Sequence, residues 1–505
     1  MKPFKMLAFF FIIMLLLAGL GYLIPDEGLR LGDDVRIYFP RPGQILHPDT
    51  LSYKDISEIT QKFEQDQYES GDTGFFHFLS KPPAFDSIFY DTLFRKQIKA
   101  PLETRKKESY TFTLVKEPLQ YPQENKNILY PVFNQLKAMK GGNQKFRILH
   151  YGDSQIEGDR ISSFLRKKLQ DRFGGYGVGL VPAVWRSSRT VSLNQSLSEN
   201  WERYTIGDYR KKKISDQQLG LLMEYSRFGA SGNPAGNDEQ KALIHFEKSS
   251  VGYYRASHFN RCRIFYGGNN QPFIMQLYHN TRMVDADMIS PQAGIQAKSW
   301  DFDQLISQLT FHFTGADSPH FYGVSFESKN GVLLDNIPVR GSSGTDFTRT
   351  DQSFFREMIS HMEVELILLQ FGVNVVPTQR NSYDFYERAL YRQLQFLKQV
   401  NPGIKIIVMG VSDMSTKNQS GFISYPNIEK IRDAQKKAAF KAGCVFWDTY
   451  EAMGGKNSMP SWVFHDPPLA RKDFTHFTFK GSKMIAQLFY NAFISEYESF
   501  LSEKE

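Results

Sequence analysis

The chain has 505 residues, 41% of them hydrophobic and 14% aromatic, a globular composition long enough for two or three domains. Its net charge of +7 comes from dispersed lysines and arginines, the densest cluster being Arg210-Lys-Lys-Lys213. That distribution excludes a nucleic-acid-binding stripe and favours anionic wall polymers or a membrane surface as partners. Two cysteines, Cys262 and Cys444, exclude a disulfide scaffold, and no His-Glu-x-x-His motif or Cys/His pairing points to a metal.

The first element is an uncharged run, Met6–Ile24, behind Lys2 and Lys5. It is close to the ~20 apolar residues that span a bilayer and longer than the core of a cleaved signal. Only Ala18-Gly-Leu-Gly21 resembles a cleavage site, and no lipobox cysteine is present. Residues 1–25 are therefore expected to form a transmembrane signal-anchor with its lysines cytoplasmic, and cleavage would secrete the rest. Either way the remainder is exported, to the periplasm if anchored in an inner membrane. Residues 26–140 read as an extension that packs on the domain C-terminal to it, with Arg36–Pro42 extended and Ser57–Glu64 helical.

Phe146-Arg-Ile-Leu-His-Tyr151 is a short, mostly apolar run that predicts a buried strand, and it leads into Gly152-Asp153-Ser154. Apolar residues at helical spacing over Ile161–Leu169 predict a helix next. A serine at such a strand-to-helix turn is exposed, with its N–H directed at whatever binds there. The neighbouring Asp153 is expected to cap the next helix. The glycines of Gly174–Gly179 come after a helix instead of a strand, so they read as a loop and not a phosphate cradle.

From 191 to 320, alternating runs such as Ala242–Glu247, Arg261–Tyr266, Phe273–Tyr278 and Leu309–Phe313 are separated by Gly, Asn and Asp turns. That pattern predicts an antiparallel β-sandwich. Its aromatics include Trp201, Tyr253, Tyr254 and Trp300, most of them expected in the core. Gly331–Val339 reads as another strand and ends in Arg340-Gly341-Ser-Ser-Gly344. Val364–Gln370 is a further buried strand and runs into Phe371-Gly372-Val373-Asn374, where an asparagine past the strand end can aim its amide at a developing oxyanion.

His465-Asp466, with Pro467-Pro468 directly after it, reads as loop. In Asp473-Phe-Thr-His476 the offset of three lets a carboxylate reach imidazole Nδ1, leaving Nε2 to take a proton from Ser154. A helix from Lys480 would anchor that pair.

Taken together, Gly152-Asp153-Ser154, Gly341, Gly372-Val373-Asn374 and Asp473-Phe474-Thr475-His476 resemble the four ordered blocks of the SGNH (GDSL-type) hydrolases. The resemblance implies a flavodoxin-like three-layer α/β/α sandwich with a parallel sheet, formed by residues 141–190 and 321–505. It also implies a Ser154–His476–Asp473 triad and an oxyanion hole of Ser154 N–H, Gly341 N–H and the Asn374 amide, with no cofactor. Arg340 stands where asparagine is common, which leaves Gly344 as the alternative to Gly341, and Gln155 replaces a frequent leucine. The Gly-Asp-Ser-Gln form is similar to members acting on cell-wall and polysaccharide acetyl groups. A β insert at 191–320 resembles the carbohydrate-binding-like insert of bacterial peptidoglycan O-acetylesterases. The expected function is an exported acetylesterase of a cell-envelope polysaccharide, peptidoglycan first. An O-acetyltransferase would use the same triad, and a non-catalytic glycan-binding protein would have no need of four intact blocks.

Overall fold

The computed structural model describes residues 3–23, 29–30, 36–37 and 53–69. From 115 to 503 it is continuous but for 116, 140–141, 143, 186–189, 215, 230–238 and 419–420. Its centre is a parallel sheet of five strands: β1 (Lys145–Gly152), β2 (Gly331–Pro338), β3 (Val364–Gln370), β4 (Lys405–Met409) and β5 (Val445–Trp447). They lie in the order β2-β1-β3-β4-β5, with β1 next to β3 at the point where the order reverses. In open α/β sheets of this order, ligands bind beyond the carboxyl ends of the strands at that switch point.

Both faces of the sheet are covered, as parallel strands with apolar residues on both sides require. Phe146 and Ile148 of β1 pack with Leu366, Leu368 and Met409 into one core. That core is closed by α1 (Ser162–Phe173) and α5 (Phe479–Ser502), which contribute Phe164, Leu169, Phe489 and Phe493. Leu149 and Tyr151 point the other way and join Ile367, Leu369 and Val408. Helices α2 (Gln352–Met362), α3 (Asp384–Val400) and α4 (Ile428–Lys441) cover this second face. The expected three-layer α/β/α arrangement is therefore what the chain adopts.

Between α1 and β2 the chain builds two antiparallel sheets. One runs 282–289, 273–279, 308–315, 240–248, 193–197, and the other 292–306, 259–269, 320–327, 224–228, 201–205, with 179–181 added on 320–327. Their inner faces share a core of Trp201, Phe228, Phe246, Phe313, Phe321 and Phe326. These strands reach from 179 to 327, beyond both ends of the 191–320 stretch read from the sequence. The extra strands are short or join directly to β2, so they carry no separate alternation signal.

Of the N-terminal extension, helix Ser57–Glu69 buries Ile59 and Phe63 in the same core as Trp447 and Phe489. Residues 70–114, also assigned to that extension, lie outside the described residues. A helix does form over Pro3–Leu23, but among the described residues no helix is long and apolar enough to cross a membrane. The transmembrane span expected for residues 1–25 is thus not found among them.

Candidate active site

Gly152 closes β1 where β1 and β3 nearly touch: a Cβ on it would meet the Gln370 carbonyl oxygen at 2.9 Å. The Asp153 N–H donates to that same oxygen at 3.2 Å, so the chain turns sharply and Ser154 emerges beyond the carboxyl edge of the sheet. Ser154 is half-buried and its Oγ lies 2.7 Å from His476 Nε2. His476 Nδ1 is 2.8 Å from Asp473 Oδ2. Two segments 322 residues apart thereby form one relay of hydroxyl, imidazole and carboxylate.

The Asp473-x-x-His476 stretch is an irregular turn, not helix. Asp473 Oδ1 accepts the N–H groups of Thr475 at 3.0 Å and His476 at 2.9 Å, fixing the imidazole against its carboxylate. Burial raises the Asp473 carboxyl, but the His476 ring and these two N–H groups outweigh it and hold it at about 2. Phe474, with φ +54°, stacks on Phe422 at 3.6 Å and anchors the outer side of the turn.

The two remaining blocks meet each other. Gly372 and Asn374 lie just past β3, and Asn374 Nδ2 donates to the Ser342 carbonyl at 2.8 Å. Ser342 is the neighbour of Gly341, so the loops after β2 and β3 are joined at this bond. Gly341 is exposed, and a Cβ on it would meet nothing within 4 Å. Gly344 is buried, and its N–H already donates to Ser342 Oγ at 3.0 Å. Arg340 is exposed and reaches Glu157 at 3.5 Å.

Asp153 does not cap the next helix. Its carboxylate accepts from Gln155 N–H at 3.0 Å and from Gly372 N–H at 3.2 Å, tying the nucleophile turn to the turn after β3. The side chain is buried, and α1 begins only at Ser162, with no side-chain cap. Burial pushes its carboxyl up to about 6 against those N–H groups.

Sequence reading missed the structural roles of two residues, Arg160 and Gln155. Arg160 donates from Nη2 to the Ser154 carbonyl, and burial with repulsion from Arg471 lowers its guanidinium to about 10. Gln155 is buried and donates from Nε2 to the Thr475 carbonyl at 2.7 Å. Neither sits at a spacing that betrays these partners. A second serine–histidine contact, Ser162 Oγ to His150 Nδ1 at 2.8 Å, is sealed inside the protein. Burial pushes that imidazole down to about 3, and no ester can reach it. His465 lies in the loop read from sequence, its Nδ1 2.9 Å from the Pro467 carbonyl.

Elsewhere, Trp201 and Trp300 lie in the sandwich core, Tyr253 packs beside Phe164, and Tyr254 is exposed. Cys262 and Cys444 are buried free thiols. Among the described residues, no group of three His, Cys, Asp or Glu side chains could hold a metal ion.

No protein-family profile matches the chain, and no curated protein sequence does. Among solved structures, a peptidoglycan O-acetylesterase matches with TM-score 0.59 and 20% identity, over 73% of this chain and 96% of its own. A salicylyl-acyltransferase from a tetracycline biosynthetic pathway matches with TM-score 0.29 and 12% identity, over 61% of this chain and 95% of its own. An acetyl xylan esterase matches with TM-score 0.25 and 16% identity, over 32% and 81%. Of these three, the peptidoglycan O-acetylesterase alone exceeds 0.5, and at 20% identity the likeness speaks for the fold.

Proposed function

We propose that this chain, which has the fold of the SGNH hydrolases, is an exported serine esterase that removes O-acetyl groups from a cell-envelope polysaccharide, peptidoglycan first. One observation carries the reading: Ser154 Oγ, His476 Nε2, His476 Nδ1 and Asp473 Oδ2 form an unbroken chain of contacts at 2.7 and 2.8 Å, at a surface an ester can reach. The fold match to a peptidoglycan O-acetylesterase, over 96% of that protein's length, supports the substrate class.

In this reading Ser154 Oγ attacks the acetyl carbonyl and His476 Nε2 takes its proton, while Asp473 stabilises the imidazolium. The oxyanion lies against Ser154 N–H, Gly341 N–H and Asn374 Nδ2, each donor worth about 2.7–4 kcal/mol in the transition state. Gly341 is preferred over Gly344 because the Gly344 N–H is committed to Ser342 Oγ. The imidazolium returns its proton to the departing sugar oxygen, leaving acetyl-Ser154. Water, deprotonated by His476, then releases acetate and restores the serine. No step calls for a cofactor. The apolar run Met6–Ile24 behind Lys2 and Lys5 supports export, with the catalytic residues outside the cytoplasm.

The test is acetate release from p-nitrophenyl acetate, acetylated murein and acetylated xylan by the purified chain and by Ser154→Ala. The substitution should lower turnover roughly 10⁴-fold or more without shifting the melting temperature. A folded Ser154→Ala protein retaining more than about a tenth of the rate would place the nucleophile elsewhere.

A further inference from the structure

His476 belongs to a surface turn, with 27% of its side chain exposed and 47% of that of Asp473. The bonds within the turn orient His476 against Asp473 but say nothing of its distance from Ser154. That distance needs a link between two parts of the chain more than 300 residues apart, and the side chain next to the nucleophile supplies it. Gln155 is 2% exposed, and its backbone is fixed by the Asp153 carboxylate. Its Nε2 donates to the Thr475 carbonyl at 2.7 Å and to Ser412 Oγ at 3.2 Å, and its Oε1 lies 3.5 Å from the Phe477 N–H. The amide therefore grips the residues on either side of His476.

We propose that Gln155 is a positioning residue that sets the Ser154–His476 separation by clamping the backbone flanking the histidine. The proposal rests on the serine-esterase reading of the same site. A leucine at this position would pack but could make neither bond, so the turn would keep the local bonds of Asp473, the Arg471 N–H on the His476 carbonyl at 2.8 Å, the Ser415 N–H on the Phe474 carbonyl at 3.1 Å and the Phe474–Phe422 stack, but would lose this amide link to the nucleophile turn. Misplacement of a catalytic group by about 1 Å is enough to lose on the order of 100-fold in rate. Because Gln155 acts through His476, its contribution should vanish once the imidazole is gone.

The experiment measures the rate of Ser154 phosphonylation by a fluorophosphonate, together with kcat and KM on p-nitrophenyl acetate, in the full chain. The proteins are wild type, Gln155→Leu, His476→Ala and the double variant. Gln155→Leu should slow phosphonylation and kcat by about 10- to 100-fold with KM nearly unchanged. In the His476→Ala background the same change should alter the residual rate by less than about threefold, the non-additivity of residues acting as one unit. Equal losses in both backgrounds, or near-normal rates for a folded Gln155→Leu, overturn the proposal. Gln155→Glu keeps the volume and the acceptor but loses the donor to Thr475, and carries the same comparison if the leucine variant melts below the assay temperature. Wild type labelled at Ser154 but releasing no acetate would refute the acetylesterase reading and leave the Gln155 comparison intact. Wild type unlabelled at Ser154 would refute both.

Discussion

Asn374 makes one visible bond, from Nδ2 to the Ser342 carbonyl, and Nδ2 carries a second hydrogen for a ligand. The residue is exposed, so losing the Ser342 bond should cost about 1 kcal/mol of stability or less. An oxyanion contact exists mainly in the transition state and is worth far more. Asn374→Ala should therefore lower kcat about 10²- to 10³-fold with KM nearly constant, while the melting temperature moves little. Steady-state kinetics on p-nitrophenyl acetate, with melts of the same samples, separates the two effects; a stable variant with near-normal kcat removes Asn374 from the oxyanion site. At this scale the sequence was legible where chemistry demands a residue type. Ser154, His476, Asp473 and Asn374 each stand in a short motif. Gln155 and Arg160 were not legible, because a glutamine or arginine carries no mark of which distant carbonyl it will meet.

The turn after β3 shows how an element places those residues. Gly372 has φ +136°, and a Cβ there would lie 2.8 Å from Val411 Cβ and 3.0 Å from Gln435 Nε2. Its N–H donates to Asp153 and its carbonyl accepts from Val375 at 2.9 Å, so the turn is fixed on both sides. Backbone strain of that kind costs of the order of 1–3 kcal/mol for a residue with a side chain. Gly372→Ala should lower stability by about that amount, and by shifting the turn it should also reduce kcat. Thermal melts together with kinetics check this; an alanine variant with unchanged stability and rate would show that the turn does not need glycine. The strand itself was plain in the sequence, since Val364–Gln370 is the observed β3 end to end. The role of Asp153 was not. A cap is a local explanation, whereas its second partner, the Gly372 N–H, is more than 200 residues away.

Over the whole molecule, the antiparallel sheets and the parallel sheet are joined by a buried charge cluster. Arg147 of β1 donates to both oxygens of Asp335 at 2.9 and 2.7 Å and reaches Glu327, on the strand 320–327, at 2.6 Å. Asp335 also accepts the Leu180 N–H at 2.9 Å, and the three charged side chains are 0% exposed. Removing one partner of such a cluster leaves uncompensated buried charge and costs about 3–5 kcal/mol. Arg147→Met should lose roughly that in chemical denaturation, and adding Glu327→Gln and Asp335→Asn should recover most of it. Failure of the neutralised triple variant to recover would show that packing, not charge, holds the two parts together. The sequence alone determined β1, β2 and β3, the helices α1 and α5, four alternating runs of the antiparallel sheets and the four blocks, because apolar periodicity and motif chemistry are written within a few residues. Tertiary structure decided the β2-β1-β3-β4-β5 order, the full extent of the antiparallel sheets, the commitment of the Gly344 N–H to Ser342 Oγ and the grip of Gln155 on the histidine turn. Each of these depends on which distant groups satisfy a buried donor or acceptor, and that is fixed only when the chain closes on itself.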